Sequence, residues 1–141
     1  MTEPEHVLVP VDDSEPARDA LEFAVTNFGE AKLTLLHVIN PIRTLDAGNP
    51  DLWDDTHVDA ERERAEGLLA ELAADAPDEV DVTTVAEFGE PAETIVEHAS
   101  RDGVDHVVMG SHGRSGIKKL VLGSVAETVS RQSPVPVSIV R

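Results

Sequence analysis

No cysteine occurs among the 141 residues. That excludes disulfide frameworks, thiolate zinc sites and cysteine nucleophiles. Basic residues are scarce: three Lys and eight Arg face 28 Asp and Glu, for a formal net charge of −17. So acidic a chain repels phosphate backbones, which argues against free nucleic acid as a partner. An anionic membrane surface is disfavoured for the same reason. No apolar run approaches the ~18 residues of a membrane-spanning helix. The opening MTEPEHVLVPVDD is acidic and has no hydrophobic signal region, so the expected location is the cytoplasm.

What is present is enough for a core. Apolar residues make up 40% of a 15.1 kDa chain, which fits one domain over residues 1–141 without metal or disulfide support. The acidic residues are spread along the chain, as on a solvated surface. At −17 their mutual repulsion strains the compact state at low salt, and high ionic strength screens it. The composition points to the cytosol of an extreme halophile, with an ordinary acidic mesophile protein as the alternative.

The pattern alternates strands and helices. Residues 6–11 (HVLVPV) read as a strand followed by the turn-like DDSEP. Ala17, Ala20, Leu21, Ala24, Val25 and Phe28 recur at helical spacing, with Ser14 or Asp13 as cap, Pro16 in the first turn and Gly29 at the end. Residues 32–39 (KLTLLHVI) are nearly continuous in apolar residues, as expected when both sheet faces are covered. Residues 40–56 read as a long loop holding the single Trp53, most simply a hydrophobic tether. Residues 58–75 form a charged helix with Val58, Ala65, Leu68, Leu69 and Leu72 on one face. Then come a strand at 80–86, a helix at 91–101 with Ala92, Ile95, Val96 and Ala99 inward, and a strand at 106–109. After the glycine-punctuated loop 110–123, a helix is expected at 124–132, opened by the capping box Ser124-Val125-Ala126-Glu127. A last strand is expected at 135–140.

This order predicts an α/β fold: one doubly wound parallel sheet, Rossmann-like, with helices on both faces. Such sheets bind ligands beyond the carboxyl ends of the strands, where the strand order reverses. For the order 3-2-1-4-5 that point lies between strands one and four, next to Asp12-Asp13 and the Gly110 loop.

The loop is the strongest local signal. Gly110, Gly113, Gly116 and Gly123 between a strand and a helix allow positive φ and close approach of a ligand to the backbone. The helix start offers free N–H groups and a positive dipole end. Arg114, Lys118 and Lys119 lie in it, and residues 106–126 contain no acid. Phosphate is the natural guest. The loop is not a Walker A loop, because Ile117 precedes Lys118, and the turn after strand one lacks the dinucleotide glycines. Asp12, at the end of strand one, is placed to accept hydrogen bonds from ribose or adenine, while Asp13 suits the dipole of the next helix. Paired acids also suggest a Mg²⁺-holding receiver domain, but the Asp after strand three and the Lys before strand five that it needs are missing. His112 can donate to a phosphate or pack locally. His37, inside strand two, reads as a hydrogen-bonded core histidine. The histidines share no metal spacing.

The stretches VLVPVDDSEPA, LLHVI, FGEPAETIVEHA, VVMGSHGRSGIKKLVLGSVAETV and PVPVSIVR together resemble the universal stress protein family over the whole chain. Its Gly-x2-Gly-x9-Gly-Ser/Thr motif reads here as Gly110, Gly113, Gly123 and Ser124. The resemblance implies a five-stranded parallel sheet of order 3-2-1-4-5 and a homodimer pairing through residues 135–140. It implies membership of the nucleotide-binding subgroup. There Gly110 and Gly113 face ribose and phosphates, with His112 and Arg114 beside them. Gly123 and Ser124 hold phosphates, and Val125 follows them at the helix start. Asp12 and the Val38 backbone meet the adenosine end; Pro10, Val11 and Met109 line the pocket. The implied ligand is ATP with Mg²⁺ carried by its phosphates, AMP and cyclic AMP being alternatives. The implied role is a regulatory stress-response domain. A slow ATPase would need a water activator, for which only His112 and Asp12 offer themselves. A third possibility is a dimeric interaction module binding AMP or no nucleotide.

Overall fold

Five parallel strands pair in the order β3-β2-β1-β4-β5, as the alternation and the resemblance predict. They are β1 (His6–Pro10), β2 (Lys32–Ile39), β3 (Asp81–Phe88), β4 (His106–Gly110) and β5 (Val137–Val140). The helices are α1 (Glu15–Phe28), α2 (Asp55–Ala74), α3 (Pro91–Ala99) and α4 (Ser124–Gln132). This computed structural model describes residues 3–41, 55–101, 103–112 and 122–141.

The strands build two cores because side chains alternate across a sheet. One face carries Val7, Val9, Leu33, Leu35 and Val108 against Ala17, Ala20, Leu21 and Ala24 of α1 and Leu69 and Leu72 of α2. The other carries Leu8, Leu36, Val107 and Met109 against Ala92, Ile95 and Ala99 of α3 and Ala126 and Val129 of α4. Covering on both sides explains why β2 reads as an apolar run. Its one buried hydroxyl, Thr34, is bonded to His6 Nε2 at 2.7 Å.

Several boundaries differ from the sequence expectation, each for a local reason. β1 ends at Pro10 rather than Val11, because the Val11 carbonyl goes to a side chain, His37 Nδ1, at 2.8 Å. β3 runs over 81–88 rather than 80–86. Val80 N is spent on a turn to the Pro77 carbonyl, and pairing continues until Phe88 meets Ile39. β4 gains Gly110, paired with Val140. β5 starts at Val137, not Val135: Pro136 has no N–H to donate, and Ser133 Oγ binds both N and O of Val135. α3 stops at Ala99, where the Ser100 N–H closes on the Val96 and Glu97 carbonyls. α2 begins at Asp55 and ends at Ala74, so residues 55 and 56 belong to the helix and not to the loop.

Caps show how local chemistry sets the helix starts. Ser14 Oγ accepts from Ala17 N at 3.2 Å with Pro16 in the first turn, worth about 1 kcal/mol. Glu90 caps α3 by accepting from Ala92 N and Glu93 N. α4 corrects the sequence reading: its N-cap is Gly123, and no side-chain cap hydrogen bond forms. The expected capping box is absent because Ser124 sits one position inside the helix.

Candidate functional site

β1 and β4 are neighbours, and their chains leave the sheet in opposite directions: β1 into α1 on one face, β4 toward α4 on the other. A cavity of about 570 Å³ opens at their carboxyl ends. That size suits a small-molecule ligand.

Each element contributes to its walls. The β1 exit supplies Pro10, Val11 and Asp12; β2 supplies His37 and Val38; β4 supplies Met109 and Gly110. His112 follows β4, and Gly123, Ser124 and Val125 open α4. Ten of the twelve candidate residues therefore meet at one cavity. The other two, Gly113 and Arg114, lie outside the described residues, as do Gly116, Lys118, Lys119 and Trp53.

Asp12 is the chemically informative member. Its Oδ1 is buried and has no hydrogen-bond partner among the described residues. A buried acceptor left unmade costs about 1–3 kcal/mol, and folded proteins rarely tolerate one without a role. Its neighbour Asp13 is exposed and pairs with Arg18 at 3.6 Å, a surface contact of small worth. The two acids thus sit in different surroundings.

The glycines act through closeness. Among the described residues only Gly103 has a positive φ, so the expected left-handed backbone is not found at Gly110 or Gly123. A Cβ on Gly110 would lie 2.8 Å from Pro16 Cβ and 2.9 Å from the Pro16 carbonyl group. Gly110 thus lets α1 pack down on β4. A Cβ on Gly123 would lie 3.1 Å from His112 Cα and the Ser111 carbonyl oxygen. The Gly123 N–H donates to that oxygen at 2.7 Å, which folds the start of α4 back onto the end of β4. Buried Ser111 bonds His112 Nδ1 at 3.1 Å.

The Val38 peptide faces the β1 side of β2. Leu36 O accepts from Val11 N, while Ile39 O accepts from Gly89 N. Peptide groups alternate sides along a strand, so the N–H and C=O of Val38 point where β1 has already left the sheet.

The sequence reading missed the contribution of α2. Glu61, Arg64, Leu68 and Glu71 line the cavity. Their 3-4-3 spacing on one helical stripe, beside buried Ala65, Leu69 and Leu72, was the available signal. Arg64 pairs with Glu61 at 2.5 Å, and Glu71 with Arg18 at 3.2 Å. Ser14, Ile95 and Pro91 also line the cavity. No group of three or more candidate metal ligands occurs among the described residues.

The universal stress protein family profile matches residues 4–141. The chain belongs to the universal stress protein family. Universal stress protein YxiE of Bacillus subtilis is 37% identical over 144 residues, covering 96% of this chain and 97% of that one. The solved structure of MJ0577, a universal stress protein of Methanocaldococcus jannaschii, superposes with a TM-score of 0.80 at 31% identity, covering 96% and 94% of the two chains. A universal stress protein solved in complex with cAMP superposes with a TM-score of 0.68 at 28% identity, covering 99% of both. As a universal stress protein, the chain shares its five-stranded parallel architecture with these relatives. No helix among the described residues is long and apolar enough to cross a membrane.

Proposed function

We propose that this universal stress protein, one domain over residues 1–141, binds an adenine nucleotide in the cavity between β1 and β4 and acts as a regulatory stress-response domain. The unpartnered, buried Oδ1 of Asp12 carries the reading. It is an acceptor waiting for a donor at the switch point of a parallel sheet, where such folds take ligands. A ribose hydroxyl supplies that donor. The Val38 peptide faces the same opening and suits the edge of a base. Ser124 is free of capping duty, at a helix start that favours anions. The relative solved with cAMP supports the ligand class.

ATP, with Mg²⁺ carried by its phosphates, is the proposed ligand, and it depends on the glycine motif and on Arg114. Asp12, Asp13, Glu61 and Glu71 against Arg64 make the described walls acidic, which favours AMP or cyclic AMP as the second reading. The proposed setting is the cytoplasm of a halophile, in keeping with a net charge of −17. The proposed assembly is a homodimer through β5. That strand pairs only with β4 among the described strands and shows Val137, Ile139 and Val140 half-buried.

The test is calorimetric titration of ATP, AMP and cyclic AMP, each with Mg²⁺, into the protein in concentrated KCl. Saturable binding favouring ATP is expected, with hydrolysis no faster than in a protein-free control. Tighter binding of AMP or cyclic AMP selects the second reading. A folded protein that binds none overturns the proposal. Sedimentation of an Ile139→Lys variant tests the dimer: a shift to monomer is expected, and an unchanged mass excludes β5 as the interface.

A further inference from the structure

We infer that His37 is a positioning residue that sets the Asp12 carboxylate through the backbone of Val11. The inference rests on the nucleotide-binding reading for its functional consequence but not for its structural content.

The β1–β2 ladder runs regularly as far as Pro10 opposite Leu36. It is prolonged by one backbone bond, Val11 N to Leu36 O at 2.8 Å. The next bond of a parallel ladder would bring the Val38 N–H to the Val11 carbonyl. In its place, the His37 ring reaches across and Nδ1 meets the Val11 oxygen at 2.8 Å. A carbonyl only accepts, so Nδ1 carries the proton.

This substitution has two consequences. The Val38 N–H is not taken by Val11, so the base-facing peptide stays available. The Val11–Asp12 peptide plane is fixed just where β1 leaves the sheet, one bond before the Asp12 Cα. Asp12 Oδ1 is buried without a partner among the described residues, so none of them holds the carboxylate by a hydrogen bond at that oxygen. Its aim depends on the backbone that carries it, and His37 anchors that backbone. Both His37 and Asp12 line the cavity.

The test compares His37→Asn, His37→Gln and His37→Leu in the full chain in concentrated KCl. The Asn amide nitrogen sits one bond from Cγ, as Nδ1 does, and keeps the donor. The Gln amide sits one bond farther out, and Leu has none. The first readout needs no ligand. Nitrogen-15 spectra of the wild type are expected to show a proton on His37 Nδ1. The Asp12 amide and carboxyl carbon-13 signals are expected to stay in place in His37→Asn and to move in the other two. A ring with no proton on Nδ1, or Asp12 signals unmoved in a folded His37→Leu or His37→Gln, overturns the inference.

The second readout is nucleotide affinity. His37→Leu is expected to weaken binding on the order of tenfold or more, with rescue by Asn. Adding it to Asp12→Asn should cost little further, because both changes disable the same carboxylate. Full additivity overturns the coupling. If the wild type binds no nucleotide, the functional reading fails, and the Nδ1 proton and the Asp12 signals still decide the role of His37.

Discussion

The two ends of the sheet treat polar groups in opposite ways. At the amino ends of the strands, Asp105, His6 and His106 are all engaged. Asp105 accepts from Glu5 N at 3.0 Å and His6 N at 3.3 Å. His6 bonds Thr34, and His106 bonds Ser138 at 2.8 Å while its ring packs at a tilt against Phe28. At the carboxyl ends, Asp12 Oδ1 is buried and bonded to nothing described, and Ser124 does no capping. The contrast fits the proposed binding site at the carboxyl end. One end is closed for stability, and the other holds unmade bonds in reserve.

The sharpest way to break this comparison acts on the packing both ends share. Gly110→Ala places a Cβ within 2.9 Å of Pro16 backbone atoms. It should destabilise the fold by about 3 kcal/mol, measured by denaturant unfolding in high KCl. An unchanged midpoint would mean that α1 yields easily.

A pair of acids comes next. Asp105→Ala removes two backbone hydrogen bonds and should cost about 1–2 kcal/mol while leaving nucleotide affinity intact. Asp12→Asn should do the reverse. It removes a buried charged acceptor that lacks a described partner, so stability should hold or rise by up to about 1 kcal/mol, while nucleotide affinity falls. Equal stability losses from both would erase the distinction between the ends.

The smallest effect is pH dependence at the closed end. Burial pushes the His106 ring below its ordinary value of 6.5, and the nearby Asp105 carboxylate opposes this only in part. The folded state therefore binds fewer protons than the unfolded one just below pH 6.5. Stability rises with pH across that window and is lost as pH falls through 6.5 toward the depressed folded value. His106→Asn should flatten this slope just below pH 6.5, read from urea midpoints. A slope identical to that of the wild type would assign the dependence to other groups.

The local elements were largely legible. Ser14 and Pro16 mark the start of α1, and KLTLLHVI reads as a doubly covered strand, because caps and apolar runs are local properties. The reading failed where a residue's partner lies far along the chain. Pro136 accepts from Val107 N but has no N–H to donate, so regular pairing of β5 begins only at Val137. The helix at 124–132 stands where it was expected, but Ser124 is not its cap: Gly123, whose N–H is held by the Ser111 carbonyl, takes that position. His37 reads as a core histidine and is hydrogen-bonded, yet its partner is the carbonyl that ends β1, 26 residues away. Glu61, Arg64 and Glu71 look like ordinary solvated charges until α2 is docked beside the cavity.

The sequence by itself determined the parallel α/β order, the family and the clustering of glycines after β4. These follow from periodicity and motif spacing, which need no knowledge of distant contacts. Tertiary structure decided which groups remain unsatisfied. Whether Asp12 Oδ1 is buried without a described partner, whether the Val38 peptide faces an opening, and which helix walls the cavity all depend on strand departure and helix docking. Those are sums of contacts between residues far apart in the chain, and no local pattern encodes them.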